Sequence, residues 1–308
     1  MTNVLYSAKD GWDEYAPALK TAFARAGLAC DLRRAFAPDE VDYIVFTPNG
    51  AVSDLRPYTR AKAVLGLWAG VEAIVENETL TQPLCRMVDH GLTEGMVEWV
   101  TGHVLRHHLG MDAHIHGQDG VWRKGAPPLA RQRKICVLGL GALGQACAAQ
   151  LAFLNFEVHG WARGPKSVPG VTCHAGEDSF DAALSGADMV VLLLPQTPAT
   201  TEIMNARSLA LLAPGAVVIN PGRGPLIDDA ALLGALESGQ LSHATLDVFR
   251  VEPLPAAHPF WAHPKVTVTP HIASETRAAT AAEVIAENIR RGEAGEPFLH
   301  LVDRDAGY

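Results

Sequence analysis

Short apolar runs alternate with longer segments of helical spacing along the chain. Residues 3–6, 43–47, 63–67 and 84–87 are short apolar runs, and between the first two, Leu19, Ala22, Phe23 and Ala26 recur at helical spacing within 15–26. Strand, helix and strand in succession predict a parallel sheet covered by helices. A longer helix is predicted over 93–109, with Met96, Val97, Val100, Val104 and Leu105 on one side. Residues 110–132 then break the pattern, being polar and rich in Gly, Pro and His. A connection that long inside a compact chain is usually functional or interfacial.

A second series of the same kind begins at residue 133. Its predicted strands, 135–138, 157–161, 189–194, 217–220, 244–248 and 266–269, are near-continuous apolar runs. Strands apolar on both faces belong to a buried parallel sheet. The last helical pattern, 275–291, lies beyond the second series and is expected to pack back on the first. The 308 residues also exceed the roughly 250–300 at which single cores divide. The expectation is an α/β chain of two doubly wound parallel-sheet domains. One is discontinuous, 1–102 with 275–308; the other spans 103–274, with the site in the cleft between them.

Composition narrows the function without naming it. The formal net charge of -9 disfavours nucleic acid and anionic membranes as partners, but a local Arg can still hold a small anion. No apolar run reaches the ~18 residues of a membrane span. The start, Met1-Thr2-Asn3-Val4-Leu5-Tyr6, has no basic segment leading into an apolar one. The five cysteines are scattered, with no C-x-x-C pair, and read as small buried residues in a reducing compartment. The cytoplasm is the expected location.

Gly139-Leu140-Gly141-Ala142-Leu143-Gly144 has the form G-x-G-x-x-G, follows a predicted strand and opens a helical pattern over 145–154. That context makes it a dinucleotide fingerprint. Gly139 allows a tight turn, Gly141 lets the backbone approach a pyrophosphate, and Gly144 lets the helix pack on its strand. The helix start, at Ala142 and Leu143, offers free N–H groups and a positive dipole end. The next strand ends Trp161-Ala162-Arg163-Gly164-Pro165-Lys166. An NAD site usually carries an acid here for the ribose 2′-OH. This chain has none, and Arg163 and Lys166 suit a 2′-phosphate instead. NADP(H) is therefore the expected cofactor, with NAD(H) as the alternative, and Trp161 is counted among the cofactor residues.

Three later strand ends deliver Arg223, Glu252 and His271 to the rim where open α/β sheets bind ligands. Each alone has a bland reading as a surface charge or a turn residue; together behind a dinucleotide fingerprint they form a constellation. Reducing a 2-oxo acid needs a hydride, a proton for the developing alkoxide and a cation for the carboxylate. An imidazole, whose reference pKa is ~6.5, suits the proton, and His271 supplies one. Glu252 can orient its ring, and Arg223 can grip the carboxylate and polarise the oxo group.

These segments, with Leu193-Leu194-Pro195-Gln196-Thr197-Pro198-Ala199-Thr200, make the chain similar over nearly its whole length to the D-isomer-specific 2-hydroxyacid dehydrogenase family. Within it, Gly66-Leu67-Trp68-Ala69-Gly70-Val71-Glu72, Met87-Val88-Asp89 and Gly160-Trp161-Ala162-Arg163 resemble the bacterial glyoxylate/hydroxypyruvate reductase A group. The resemblance implies a Rossmann cofactor domain beside a flavodoxin-like substrate domain. It implies that Arg223, Glu252 and His271 are catalytic, and that Trp68, Ala69, Gly70 and Val71 hold the substrate carboxylate together with Arg223. Asp247 would bond the nicotinamide carboxamide. Leu194, Pro195, Asn220, Pro221, Gly222, Ala273 and Ser274 would line the cofactor. A homodimer built through the cofactor domains is implied as well, consistent with the long segment 110–132.

Two other readings stand beside this one. His103 and His107, at i and i+4 on a helix, have a metal-binding spacing, but no carboxylate completes the motif and none is expected to bind metal. A non-catalytic NAD(P)-sensing regulator on the same fold would not need the three polar residues that this chain retains.

Overall fold

The computed structural model describes residues 1–304, 306 and 307. It divides into two compact units, 1–92 with 275–308 and 93–274.

The first unit carries five parallel strands: β1 (Thr2–Ser7), β2 (Cys30–Arg33), β3 (Tyr43–Phe46), β4 (Ala63–Gly66) and β5 (Leu84–Cys85). Their order is β2-β1-β3-β4-β5, with every neighbouring pair parallel. Alternate residues face opposite cores: Val4 and Tyr6 join Tyr43, Val45 and Leu65 on one side, while Leu5 joins Ile44, Phe46 and Val64 on the other. The first side is covered by the helices Trp12–Arg25 and Ala278–Ala294. They bring Leu19, Phe23, Ile285 and Ile289 to the same cluster. The C-terminal helix thus completes the first sheet.

The second unit carries seven parallel strands: β6 (Lys134–Leu138), β7 (Glu157–Ala162), β8 (Val171–Ala175), β9 (Met189–Leu192), β10 (Ala216–Asn220), β11 (Leu241–Leu246) and β12 (Val266–Val268). Their order is β12-β11-β10-β9-β6-β7-β8. The direction of winding reverses between β6 and β9, and the crevice at their carboxyl ends is where such sheets bind ligands. On β6, Ile135 and Val137 face the helix Ala142–Phe153, and Cys136 and Leu138 face the opposite cluster.

Three expectations shift. The helix His90–His108 sends Met96, Val100 and Val104 into the core of the second unit. The division therefore falls after residue 92 and not after 102. The apolar pattern does not predict strands β2 and β8; both lie at sheet edges and are largely part-exposed, which weakens their hydrophobic signal. Residues 244–248 and 266–269 are not apolar throughout. His243, Thr245 and Asp247 alternate with Ala244 and Leu246, and Thr267 and Thr269 sit beside them.

Candidate active site

The turn after β6 closes tightly. Gly139 has a φ of 102°, which L side chains rarely adopt, and a Cβ there would stand 2.5 Å from the Leu193 carbonyl oxygen. A Cβ on Gly144 would stand 1.7 Å from the Gly139 oxygen. These two glycines let the turn meet the end of β9 and let the helix sit against its own turn. Gly141 differs, because no atom lies within 4 Å of its Cβ position. The 12-residue helix Ala142–Phe153 begins there, capped by Gly141 without a side-chain cap. Its first N–H groups and dipole end suit a dinucleotide pyrophosphate, so the residues present fit the cofactor the fingerprint implies.

The strand β7 ends at Ala162, buried in the apolar cluster. Trp161, expected beside the cofactor, turns inward: its indole N–H donates to the Gly176 carbonyl at 2.9 Å, and its ring meets Phe180 edge-on at 5.2 Å. Its side chain is core, because β7 alternation places it on the inner face of the sheet. Arg163 and Lys166 are exposed on the loop that follows, and Val168 anchors that loop in the core. A cationic loop of this kind suits a phosphomonoester.

At the other end of the sheet, buried polar side chains shape two turns, those that carry Arg223 and His271. Asn220 is fully buried. Its amide donates to the Arg223 carbonyl at 2.9 Å, and its oxygen accepts from the Gly222 N–H at 3.1 Å. Together these bonds hold the turn that carries Arg223. Gly224 then meets the backbone of Phe249, where a Cβ would stand 2.0 Å from the Phe249 carbonyl carbon. That contact seats the Arg223 turn on the loop bearing Glu252.

Glu252 and His271 meet directly. The imidazole Nδ1 lies 2.7 Å from Glu252 Oε2, and Glu252 Oε1 accepts the Phe249 N–H at 2.8 Å. A carboxylate on Nδ1 makes that nitrogen the donor and leaves Nε2 as the outward-facing atom. The imidazole is 51% exposed and can reach a ligand. His271 itself has a φ of 55°, a left-handed conformation costing about 1–2 kcal/mol for a residue with a Cβ.

Asp247 lies under this turn with 0% exposure. Its Oδ1 accepts from the Thr269 hydroxyl at 2.5 Å and the Ile272 N–H at 2.9 Å. Its Oδ2 accepts from the Ala273 N–H at 2.8 Å, and its carbonyl from the His271 N–H at 2.8 Å. Nothing in the sequence marks Thr269, because an apolar run conceals a single hydroxyl. Of the remaining candidates, Leu194, Pro221, Gly222 and Ala273 are buried, while Pro195 and Ser274 are half-buried at the ends of their strands.

The polar row continues down β11 and β12. His107 Nε2 lies 2.9 Å from the Thr245 hydroxyl, and His243 Nε2 lies 2.8 Å from the Thr267 hydroxyl. Burial, and for His107 the nearby His243, pushes the two imidazoles down, His107 to about 3 and His243 to about 4. The ring of His103 lies against Trp99 at 4.3 Å. Among the described residues no group of three or more His, Cys, Asp or Glu side chains converges to hold a metal.

In the first unit, Trp68, Ala69, Gly70 and Val71 form the loop after β4. The Trp68 carbonyl accepts the Met87 N–H at 3.0 Å, and the preceding Leu67 carbonyl accepts the Thr276 hydroxyl at 2.8 Å. The Trp68 side chain is 43% exposed. No helix among the described residues is long and apolar enough to cross a membrane.

Residues 101–273 match the family model described as D-isomer specific 2-hydroxyacid dehydrogenase, NAD binding domain. The chain is 44% identical over 257 residues to glyoxylate/hydroxypyruvate reductase A of Serratia proteamaculans, covering 81% of this chain and 82% of that protein. It is similar to a D-isomer specific 2-hydroxyacid dehydrogenase of Xanthobacter autotrophicus Py2, solved with NADPH and MES, at a TM-score of 0.90 and 41% identity, covering 100% of this chain and 99% of that one. It is also similar to the NADPH-dependent glyoxylate/hydroxypyruvate reductase of Sinorhizobium meliloti, solved with NADP and sulfate, at a TM-score of 0.89 and 34% identity, covering 100% of both chains.

Proposed function

Since this chain belongs to the D-isomer specific 2-hydroxyacid dehydrogenase family of NAD(P)-dependent enzymes, we propose that it reduces a small 2-oxo acid, glyoxylate or hydroxypyruvate, to the D-2-hydroxy acid with NADPH. The observation that carries this reading is the 2.7 Å pair of His271 and Glu252 on the same sheet rim as Arg223. NADPH, when bound, supplies the hydride. His271 gives its Nε2 proton to the oxygen of the reduced carbonyl. Glu252 orients the ring through the Nδ1 hydrogen bond. Arg223 holds the substrate carboxylate and polarises the oxo group. In this reading the inserted unit binds cofactor, and in the discontinuous unit the N–H groups of the loop at Trp68, Ala69, Gly70 and Val71 are of the kind that suits a carboxylate.

Arg163 and Lys166 on the loop after β7 favour NADPH over NADH, and the NADPH and NADP bound to the two structural relatives support the same choice. The exposed Val121, Trp122 and Leu129 in the segment after His116 support a homodimer, since apolar surface of this kind marks an interface. Purified protein given glyoxylate or hydroxypyruvate should oxidise NADPH, and the hydroxypyruvate product should be D-glycerate. A broad panel of 2-oxo acids that gives no turnover with NADPH or NADH would sink the reading.

A further inference from the structure

Asp247, wholly buried, and Thr269, part-buried, both bind the turn that carries His271. The carboxylate of Asp247 is wholly buried and takes three donors: the Thr269 hydroxyl, the Ile272 N–H and the Ala273 N–H. Those donors flank His271 on both sides. The His271 N–H itself goes to the Asp247 carbonyl at 2.8 Å. Asp247 therefore grips the turn from Thr269 to Ala273 by its side chain and its backbone together. A carboxylate is acceptor-only and suits three converging donors better than any other side chain of its size.

This grip coincides with the left-handed backbone of His271. A strained residue persists only when its surroundings over-determine it. The direction of the imidazole follows from that φ, and so does its meeting with Glu252. We infer that Asp247 and Thr269 are positioning residues for His271: the buried carboxylate locks the left-handed turn that aims the imidazole, and the Thr269 hydroxyl fixes one of its oxygens. The inference rests on His271 as the proton donor. It differs from the role the family resemblance implies for Asp247, a bond to the nicotinamide carboxamide, because it concerns the three acceptor positions of the buried carboxylate that the turn takes.

The test uses the full chain with hydroxypyruvate and NADPH. Asp247→Asn puts a donor against one of the donors of the turn, and Thr269→Val removes only the hydroxyl. A proton donor displaced by about an ångström costs on the order of 100-fold, so Asp247→Asn should lower kcat about 10–100-fold and Thr269→Val by a smaller factor. NADPH Kd, read by fluorescence, should stay within about twofold, and Thr269→Ser should restore kcat. Should Asp247→Asn fail to fold by circular dichroism, the Thr269 pair decides. Weakened NADPH binding with kcat intact at saturation would overturn the inference in favour of a cofactor contact. A Thr269→Val enzyme of full kcat beside an inactive His271→Ala would overturn it while leaving the proton donor standing. If His271→Ala itself kept wild-type kcat, the reading beneath the inference would fall.

Discussion

The two halves of the seven-stranded sheet build their turns by opposite means. Around β6 and β7 the chain removes atoms: Gly139 and Gly144 stand where a Cβ would strike backbone oxygen, and Ala162 stands where an NAD site would carry an acid. Around β10, β11 and β12 it adds buried polar atoms: Asn220 and Asp247, both at 0% exposure, tie down the turns of Arg223 and His271. The first half presents the N–H groups of a helix start and leaves little room for side chains at Gly139 and Gly144. The second presents side chains, and two of them, Arg223 and His271, sit on turns tied down by a buried one.

The largest expected effect tests the second half. His271→Ala should lower kcat about 10²–10⁴-fold, the usual contribution of general acid catalysis, with NADPH Kd little changed. A variant that retained most of its kcat would identify another group as the acid. Arg223→Ala should instead raise substrate KM and lower kcat together, because one side chain is asked to bind and to polarise.

The first half is tested through the cofactor. A charge-assisted hydrogen bond is worth about 1.5–3 kcal/mol, and about 1.4 kcal/mol is a decade, so Arg163 should give roughly a 10–100-fold preference for NADPH. Ala162→Asp combined with Arg163→Ser should move the ratio of kcat/KM for NADPH over NADH toward NADH. A ratio untouched by the double change would leave Arg163 as a solvated loop residue. The glycines sharpen the same contrast. Gly144→Ala forces a Cβ toward 1.7 Å of an oxygen and should destabilise the unit by about 1–3 kcal/mol or more. Gly141→Ala meets open space and should leave Tm unchanged while weakening NADPH binding.

The smallest effect concerns pH. His107 and His243 are held neutral in the fold, pushed down to about 3 and about 4, against about 6.5 in an unfolded chain. Between those values the unfolded chain binds more protons, so stability is complete above about pH 6.5 and falls as pH drops below it. Tm measured from pH 7.5 to 5 should decline, and His107→Gln should flatten the decline. A slope unchanged by that variant would move the effect to other groups.

The sequence carried the fingerprint and the three catalytic candidates because each sits at a strand end with a distinctive residue type. It carried the buried strands because apolar runs are their signature. It did not carry β2 and β8, whose edge positions leave mixed patterns, nor the inward turn of Trp161, which depends on the face of β7. It hid Thr269 and the hold of Asp247 on the His271 turn, because hydrogen-bond partners 22 to 26 residues apart leave no local pattern to read.

The insertion of one unit within the other has a consequence for synthesis. The helix Ala278–Ala294, which supplies Ala281, Ile285 and Ile289 to the first core, is made only after the whole of 93–274. Until then the sheet built from 1–92 has this face covered only in part, by the helix Trp12–Arg25, while the whole of 93–274 emerges. That face is open to chaperones and to aggregation throughout, and the entropy of closing so long a loop is reduced once the inserted unit has itself become compact.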